Sequence, residues 1–198
     1  MKSLREIFFA TGNENKIREI AAIAADRLLI RSILDTGQPF EIAETESSLE
    51  GNAMLKARTW HEHSGLPCFA DDTGLEVEAL GGMPGVMSAR YAGPENDAGR
   101  NIAKLLHEMN GQINRQARFR TVIAWKDKSS ERYFEGILRG RIATKASGNS
   151  GFGYDPIFIP EGYDQSLAEL PPELKNRISH RGIAMNKFME FLAEFAWD

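Results

Sequence analysis

Residues 7–10, Ile-Phe-Phe-Ala, form a short apolar run that stops at Thr11-Gly12-Asn13, and beyond the stop Ile17, Ile20, Ala21 and Ala24 recur at the spacing of one helix face. A strand, a tight loop and a helix in that order require the helix to fold back and cover the strand, which is the building step of α/β architectures. The same alternation continues. Residues 28–34 read as a second strand, followed by an acidic loop with Glu41, Glu44 and Glu46, and Ser47 or Ser48 opens a helix whose inner face carries Ala53, Ala57 and Trp60. Residues 67–70 form a short apolar run ending at Asp71-Asp72-Thr73-Gly74, residues 81–85 (Gly-Gly-Met-Pro-Gly) an irregular loop, and residues 96–109 a helix. Residues 119–125 and 133–138 are β-rich and flank a polar stretch, which predicts a hairpin of two long strands. Glycines 148, 151 and 153 mark a loop before a strand at 157–159, and the last helix spans 180–195 with Ile183, Phe188, Phe191 and Leu192 turned inward. Helices interleaved with strands, then a hairpin, predict an α/β fold with a mixed sheet. With no internal repeat or linker, residues 1–198 read as one domain.

The 198 residues, 42% of them hydrophobic, supply enough apolar material for one well-buried core. A net charge of −4 gives no general attraction for a nucleic-acid backbone, so a polymer partner is not expected, whereas a small phosphorylated ligand fits. The lone Cys68 excludes a disulfide framework and a cysteine-rich zinc site and suits a reducing compartment. The N-terminal apolar run is too short for a signal peptide or a membrane span, so the expected location is the cytoplasm, with no membrane partner.

Four segments carry candidate chemistry. Thr11-Gly12-Asn13-Glu14-Asn15-Lys16 lies where a strand gives way to a helix, so its backbone N–H groups and the Lys16 ammonium suit a phosphate, although the same residues are equally good turn and helix-cap chemistry. Asp71 and Asp72 end an apolar run. Because side chains alternate in extended chain, the two carboxylates should diverge, one suited to hold Mg²⁺ or to deprotonate a water, the other to cap a turn. Gly151-Phe152-Gly153-Tyr154-Asp155 joins flexible backbone to two aromatics and a carboxylate, with Phe152 or Tyr154 available to stack on a flat ring. A polar segment with Lys175, His180 and Arg181 opens the last helix and gathers hydrogen-bond donors.

In this order, ATGNENK at 10–16, NAMLKA at 52–57, ADDTGLEVEALGG at 70–82, PGVMSARYAG at 84–93, GFGYDPIF at 151–158, AEL at 168–170 and ISHR at 178–181 resemble the Ham1-like family of inosine and xanthosine triphosphate pyrophosphatases. The resemblance spans nearly the whole chain. It implies an elongated α/β fold of two lobes about a mixed sheet, a central cleft for the nucleotide, and a homodimer. It implies hydrolysis of non-standard purine nucleoside triphosphates to the monophosphate and pyrophosphate. By position, residues 11–16 would bind the triphosphate, Asp72 would bind Mg²⁺ and accept a proton, and Thr73 would contact substrate. Phe152, Gly153, Tyr154 and Asp155 would surround the nucleoside with Lys175 nearby, and His180 and Arg181 would read the base. Glu44 is the expected second metal ligand, with Glu41 and Glu46 as alternatives. Two rivals are a Maf-type pyrophosphatase, disfavoured by His180-Arg181, and a non-hydrolysing nucleotide-binding module, disfavoured by the Asp71-Asp72 pair.

Overall fold

The computed structural model describes residues 5–37 and 42–195. Glu41, one alternative for the second metal ligand, lies outside the described residues. The chain forms β1 (Arg5–Phe9), α1 (Glu14–Ala24), β2 (Leu28–Ser32), α2 (Leu49–Ser64), β3 (Cys68–Val77), β4 (Pro84–Gly85), α3 (Ala98–Glu108), β5 (Gln116–Lys126), β6 (Glu131–Ile142), β7 (Phe158–Pro160), α4 (Pro172–Ile178) and α5 (His180–Glu194). Strand order is β2-β1-β3-β5-β6-β7, with β4 paired to β3. β1 is parallel to both β2 and β3, whereas β4 on β3 and β7 on β6 are antiparallel, so the sheet is mixed, as the sequence pattern predicts.

Two compact units divide the chain. The first comprises the described parts of 1–72, 121–136 and 181–198, and the second comprises Thr73–Arg120 and Ile137–His180. In the first unit Phe9 stacks on Phe69 across the β1–β3 pair at 4.5 Å, Phe69 meets Phe188 of α5 at 4.9 Å, and Trp125 meets Phe188 at 5.8 Å. α5 covers this core with Ala184, Met185, Phe188, Met189 and Leu192, while Ile183 is only half-buried. The inward stripe is therefore set one residue later than Ile183 suggested. The second unit has its own core, built on Leu75, Leu105, Phe119, Ile157 and Phe158.

Several boundaries depart from the sequence pattern for local physical reasons. β2 ends at Ser32 because the Asp35 carboxylate accepts the Ser32 N–H at 2.7 Å and starts a 3₁₀ turn over Ile33–Thr36. β3 does not stop at the aspartates but continues through them to Val77. Gly74, read as part of a turn, is instead a point of close approach, since a Cβ there would lie 2.7 Å from the Gly85 carbonyl oxygen of β4. Pro84–Gly85 is thus a short strand inside the expected loop. The polar segment before the last helix forms a separate helix, α4, broken by extended Ser179 before α5 begins at His180. Among the described residues no helix is long and apolar enough to cross a membrane.

Phe188 joins β1, β3, β5 and α5 in one packed cluster, so Phe188→Ala should cost about 3–5 kcal/mol of unfolding free energy in urea denaturation. A loss below about 1 kcal/mol would mean that the cluster repacks around the vacancy.

Candidate active site

β3 carries the two aspartates as buried neighbours, and their side chains take opposite directions as strand geometry requires. Asp71 receives the Lys16 ammonium on Oδ1 at 2.9 Å and the Arg181 Nε on Oδ2 at 3.3 Å, and Arg181 also pairs with Glu19 of α1. Asp72 faces α2. Its Oδ1 lies 3.2 Å from the Lys56 ammonium and its Oδ2 3.3 Å from Asn52 Nδ2. The same ammonium donates to Glu44 Oε1 at 2.9 Å, so Lys56 bridges the two carboxylates that the resemblance offers to a metal.

α2 explains why these groups meet. Ser48 caps its first turn by accepting from Gly51 N–H at 3.1 Å, and Leu49, Asn52, Ala53, Lys56, Ala57 and Trp60 repeat at helical spacing on the buried face. Asn52 and Lys56 are one turn apart on that apolar face. Glu46 N–H donates to Asn52 Oδ1 at 3.0 Å, which folds the acidic loop onto the helix start. Gly51 makes room for that fold, since a Cβ there would meet Glu46 Cβ at 2.7 Å. The loop path brings Glu44 to Lys56 and leaves Glu46 exposed.

Residues 11–16 form the start of α1. Thr11 Oγ1 accepts from Asn13 N–H at 3.2 Å, and Asn13 Oδ1 accepts from the N–H groups of Asn15 and Lys16 at 3.0 and 3.1 Å. Helix-cap chemistry thus uses several of the backbone donors, Gly12 and Glu14 are exposed, and Lys16 supplies the charge beside β3. Burial lowers the Lys16 ammonium below its ordinary value, although Asp71 acts against it. For Lys56 burial acts in the same sense, but Asp72 and Glu44 outweigh it and raise the group. Asp72 is raised above the usual carboxylate range by burial, against the pull of Lys56 and Lys16. Asp71 is also penalised by burial, yet Lys16 and Arg181 hold it well below that range.

The second unit holds the remaining candidates. Thr73 follows Asp72 in β3 and is half-buried. Asp155 Oδ2 accepts from Phe152 N–H at 2.8 Å and from the Lys175 ammonium at 2.7 Å, and that ammonium lies 5.4 Å from the Phe152 ring centre. Gly151 has φ +77°, and a Cβ on it would collide with Asp155 Oδ2. Gly153, at φ +60°, has open space beside it. Tyr154 is a core residue whose hydroxyl donates to the Ser88 carbonyl at 2.8 Å, so of the two aromatics Phe152 is the one left half-buried. His180 stacks on Phe119 at 4.5 Å with ring planes 14° apart. Although adjacent in sequence, His180 and Arg181 belong to different units and keep different partners.

A profile of the Ham1 family matches residues 7–191. The chain belongs to the Ham1 family. A dITP/XTP pyrophosphatase of Porphyromonas gingivalis is 48% identical over 96% of this chain and 98% of its own length. One of Bacillus licheniformis is 43% identical over 96% and 98%. Among solved structures, the Ham1 protein of Staphylococcus aureus superposes with a TM-score of 0.86 at 38% identity, covering 96% of this chain and 99% of that one.

Within this Ham1 chain, Asn52, Lys56 and Glu19 belong to the site although sequence reasoning gave them no role. The available signal was in NAMLKA, where a polar pair four residues apart shares the face of Ala53, Ala57 and Trp60. Glu19 offered no such signal, because its partner Arg181 is distant in sequence.

Because Asp71 is held below its unfolded value, its charge stabilises the fold fully above about pH 4, and this contribution fades as pH falls toward the folded value. Asp71→Asn takes the carboxylate from Lys16 and leaves Arg181 with Glu19 alone, and should cost about 3–5 kcal/mol near neutral pH. Urea denaturation of both proteins should show that penalty shrinking below about pH 4, whereas a penalty independent of pH would mean that Asp71 is not charged in the native state.

Proposed function

We propose that this chain hydrolyses non-standard purine nucleoside triphosphates, inosine and xanthosine triphosphate and their deoxy forms, to the monophosphate and pyrophosphate. Relatives named dITP/XTP pyrophosphatase match it almost end to end. The observation that carries the reading is the convergence of two carboxylates, Asp72 and Glu44, on one cation, the Lys56 ammonium. Such a pair suits Mg²⁺, which takes one or two carboxylates together with substrate phosphates and needs no larger protein cage. Among the described residues no group of three or more His, Cys, Asp and Glu is placed to hold a metal. Asp72 and Glu44 would hold Mg²⁺, which would offset the charge of the substrate phosphates.

The chain's own residues then divide the work. Lys16, with residues 11–15, binds the triphosphate through its ammonium and those backbone donors of the helix start that the cap does not use, and Thr73 adds a contact. Asp72 accepts the proton of the attacking water on a carboxylate oxygen. Asn52 Nδ2 fixes its orientation. In the nucleoside site Phe152 stacks on the purine, with Gly153 leaving open space beside it, while Asp155 and Lys175 shape the wall and Tyr154 anchors it from the core. His180, the candidate base reader of the second unit, donates to the six-position oxygen of hypoxanthine and xanthine, while Arg181 stays committed to Asp71 and Glu19. Adenine has an amino group there, and a donor facing a donor costs about 1–3 kcal/mol. As in the resemblance, the enzyme would work as a cytoplasmic homodimer.

The test is a panel of purine triphosphates incubated with protein and Mg²⁺, with pyrophosphate and orthophosphate assayed separately. Inosine and xanthosine triphosphate should release pyrophosphate faster than adenosine triphosphate does, and Asp72→Asn should lose about 10²–10⁴-fold of that turnover while remaining folded. Orthophosphate as the first product, or near-normal turnover in Asp72→Asn, would overturn the reading.

A further inference from the structure

Ser166-Leu167-Ala168-Glu169 has no part in the chemistry above, yet its polar groups tie down the glycine-rich segment 147–155. Ser166 is 1% exposed, and its hydroxyl donates to the Ser147 carbonyl at 2.7 Å. Further along, Ser150 N–H donates to the Ala168 carbonyl at 3.2 Å, and Ala168 N–H donates to the Asp155 carbonyl at 3.3 Å. The loop is therefore held at its start, middle and end. Leu167 anchors the clamp in the core, its N–H donating to the Phe158 carbonyl at 2.9 Å. Glu169 in turn holds Ser166, accepting its N–H at 2.8 Å, and that donor together with the Ser147 hydroxyl keeps the Glu169 carboxyl below its ordinary value. The fit between clamp and loop leaves no space for a side chain at Gly148, where φ is +85° and a Cβ would lie 2.5 Å from the Ala168 carbonyl carbon and 2.8 Å from Glu169 N.

The loop needs such restraint. Glycines 148, 151 and 153 all have positive φ, and glycine backbone has more conformations to lose on ordering than any other. A loop already fixed binds its ligand without that ordering cost. We propose that Ser166 and Glu169 are positioning residues for nucleoside recognition, the 166–169 segment clamping the 147–155 loop so that Phe152 is presented to the base; this rests on the assignment of that loop to the nucleoside. The clamp residues stand apart from the groups assigned to the phosphates and the attacking water, so their loss should act on binding and not on the chemical step.

The experiment compares wild type, Ser166→Ala, Ser166→Thr, Glu169→Ala and Phe152→Ala by calorimetric titration with inosine monophosphate and with inorganic pyrophosphate, both with Mg²⁺, alongside kcat and KM for inosine triphosphate. Ser166→Ala should weaken inosine monophosphate binding and raise KM by about five- to ten-fold, the effect of one lost hydrogen bond, while kcat and pyrophosphate affinity change less than about two-fold. Ser166→Thr should restore both values. Glu169→Ala, at an exposed position, should shift them in the same direction and provides the same readout should Ser166→Ala fail to fold. Unchanged inosine monophosphate binding in both clamp variants, or equal weakening of pyrophosphate, overturns the clamp while leaving the loop assignment intact if Phe152→Ala weakens the monophosphate. Unchanged monophosphate binding in Phe152→Ala overturns the loop assignment, and the clamp's role falls with it.

Discussion

Successive side chains of an extended strand point to opposite sides, and in β3 that rule falls on two adjacent carboxylates. Asp71 and Asp72 therefore take different hydrogen-bonded partners. Asp71 draws Lys16 from α1 and Arg181 from α5, while Asp72 draws Asn52 and Lys56 from α2. Three helices are thereby referred to one dipeptide. Burying such charges is costly unless each is paired and hydrogen-bonded, and here the carboxylates of Glu19 and Glu44 complete the pairing on the far sides of Arg181 and Lys56. The identical chemical groups end up with opposite proton affinities, Asp71 held low and Asp72 raised. Groups pushed apart in this way are suited to different tasks: a permanent charge that holds cations, and a base.

Much of this was legible in the sequence because it depends on local periodicity. The strand, loop and helix at residues 7–24, the inner face of α2 and the β5–β6 hairpin all follow from apolar spacing. β3 was cut short for the opposite reason: two aspartates followed by Thr-Gly look like a turn, and only cations supplied from 16, 56 and 181 allow the strand to continue through them. The choice among the acidic residues 44 and 46 likewise hangs on Gly51, whose missing side chain lets the loop lie against α2. That contact has no signature in periodicity.

The second unit shows a second limit of linear reading. His180 and Arg181 invite treatment as one recognition pair because they are consecutive, yet the helix break at Ser179 and the change of unit give His180 an aromatic neighbour and Arg181 two carboxylates. Tyr154 looked like a wall of the glycine loop and is core, with its hydroxyl on Ser88. Gly151 and Gly148 suggest flexibility in the sequence, but each is a steric necessity, the first against Asp155 and the second against the 168–169 backbone. The loop is a rigid object made from permissive residues.

The central claim is that Asp72 serves the metal and the water and does not itself grip the nucleotide, which is left to Lys16 and the α1 start. Calorimetric titration of Asp72→Asn with inosine triphosphate in EDTA tests this directly. With the metal absent, removing a carboxylate beside the phosphates should leave the affinity equal to that of wild type or tighter. Binding weakened by about ten-fold or more, the equivalent of 1.4 kcal/mol, would mean that Asp72 supports the nucleotide site itself, and the division of labour along β3 would be wrong.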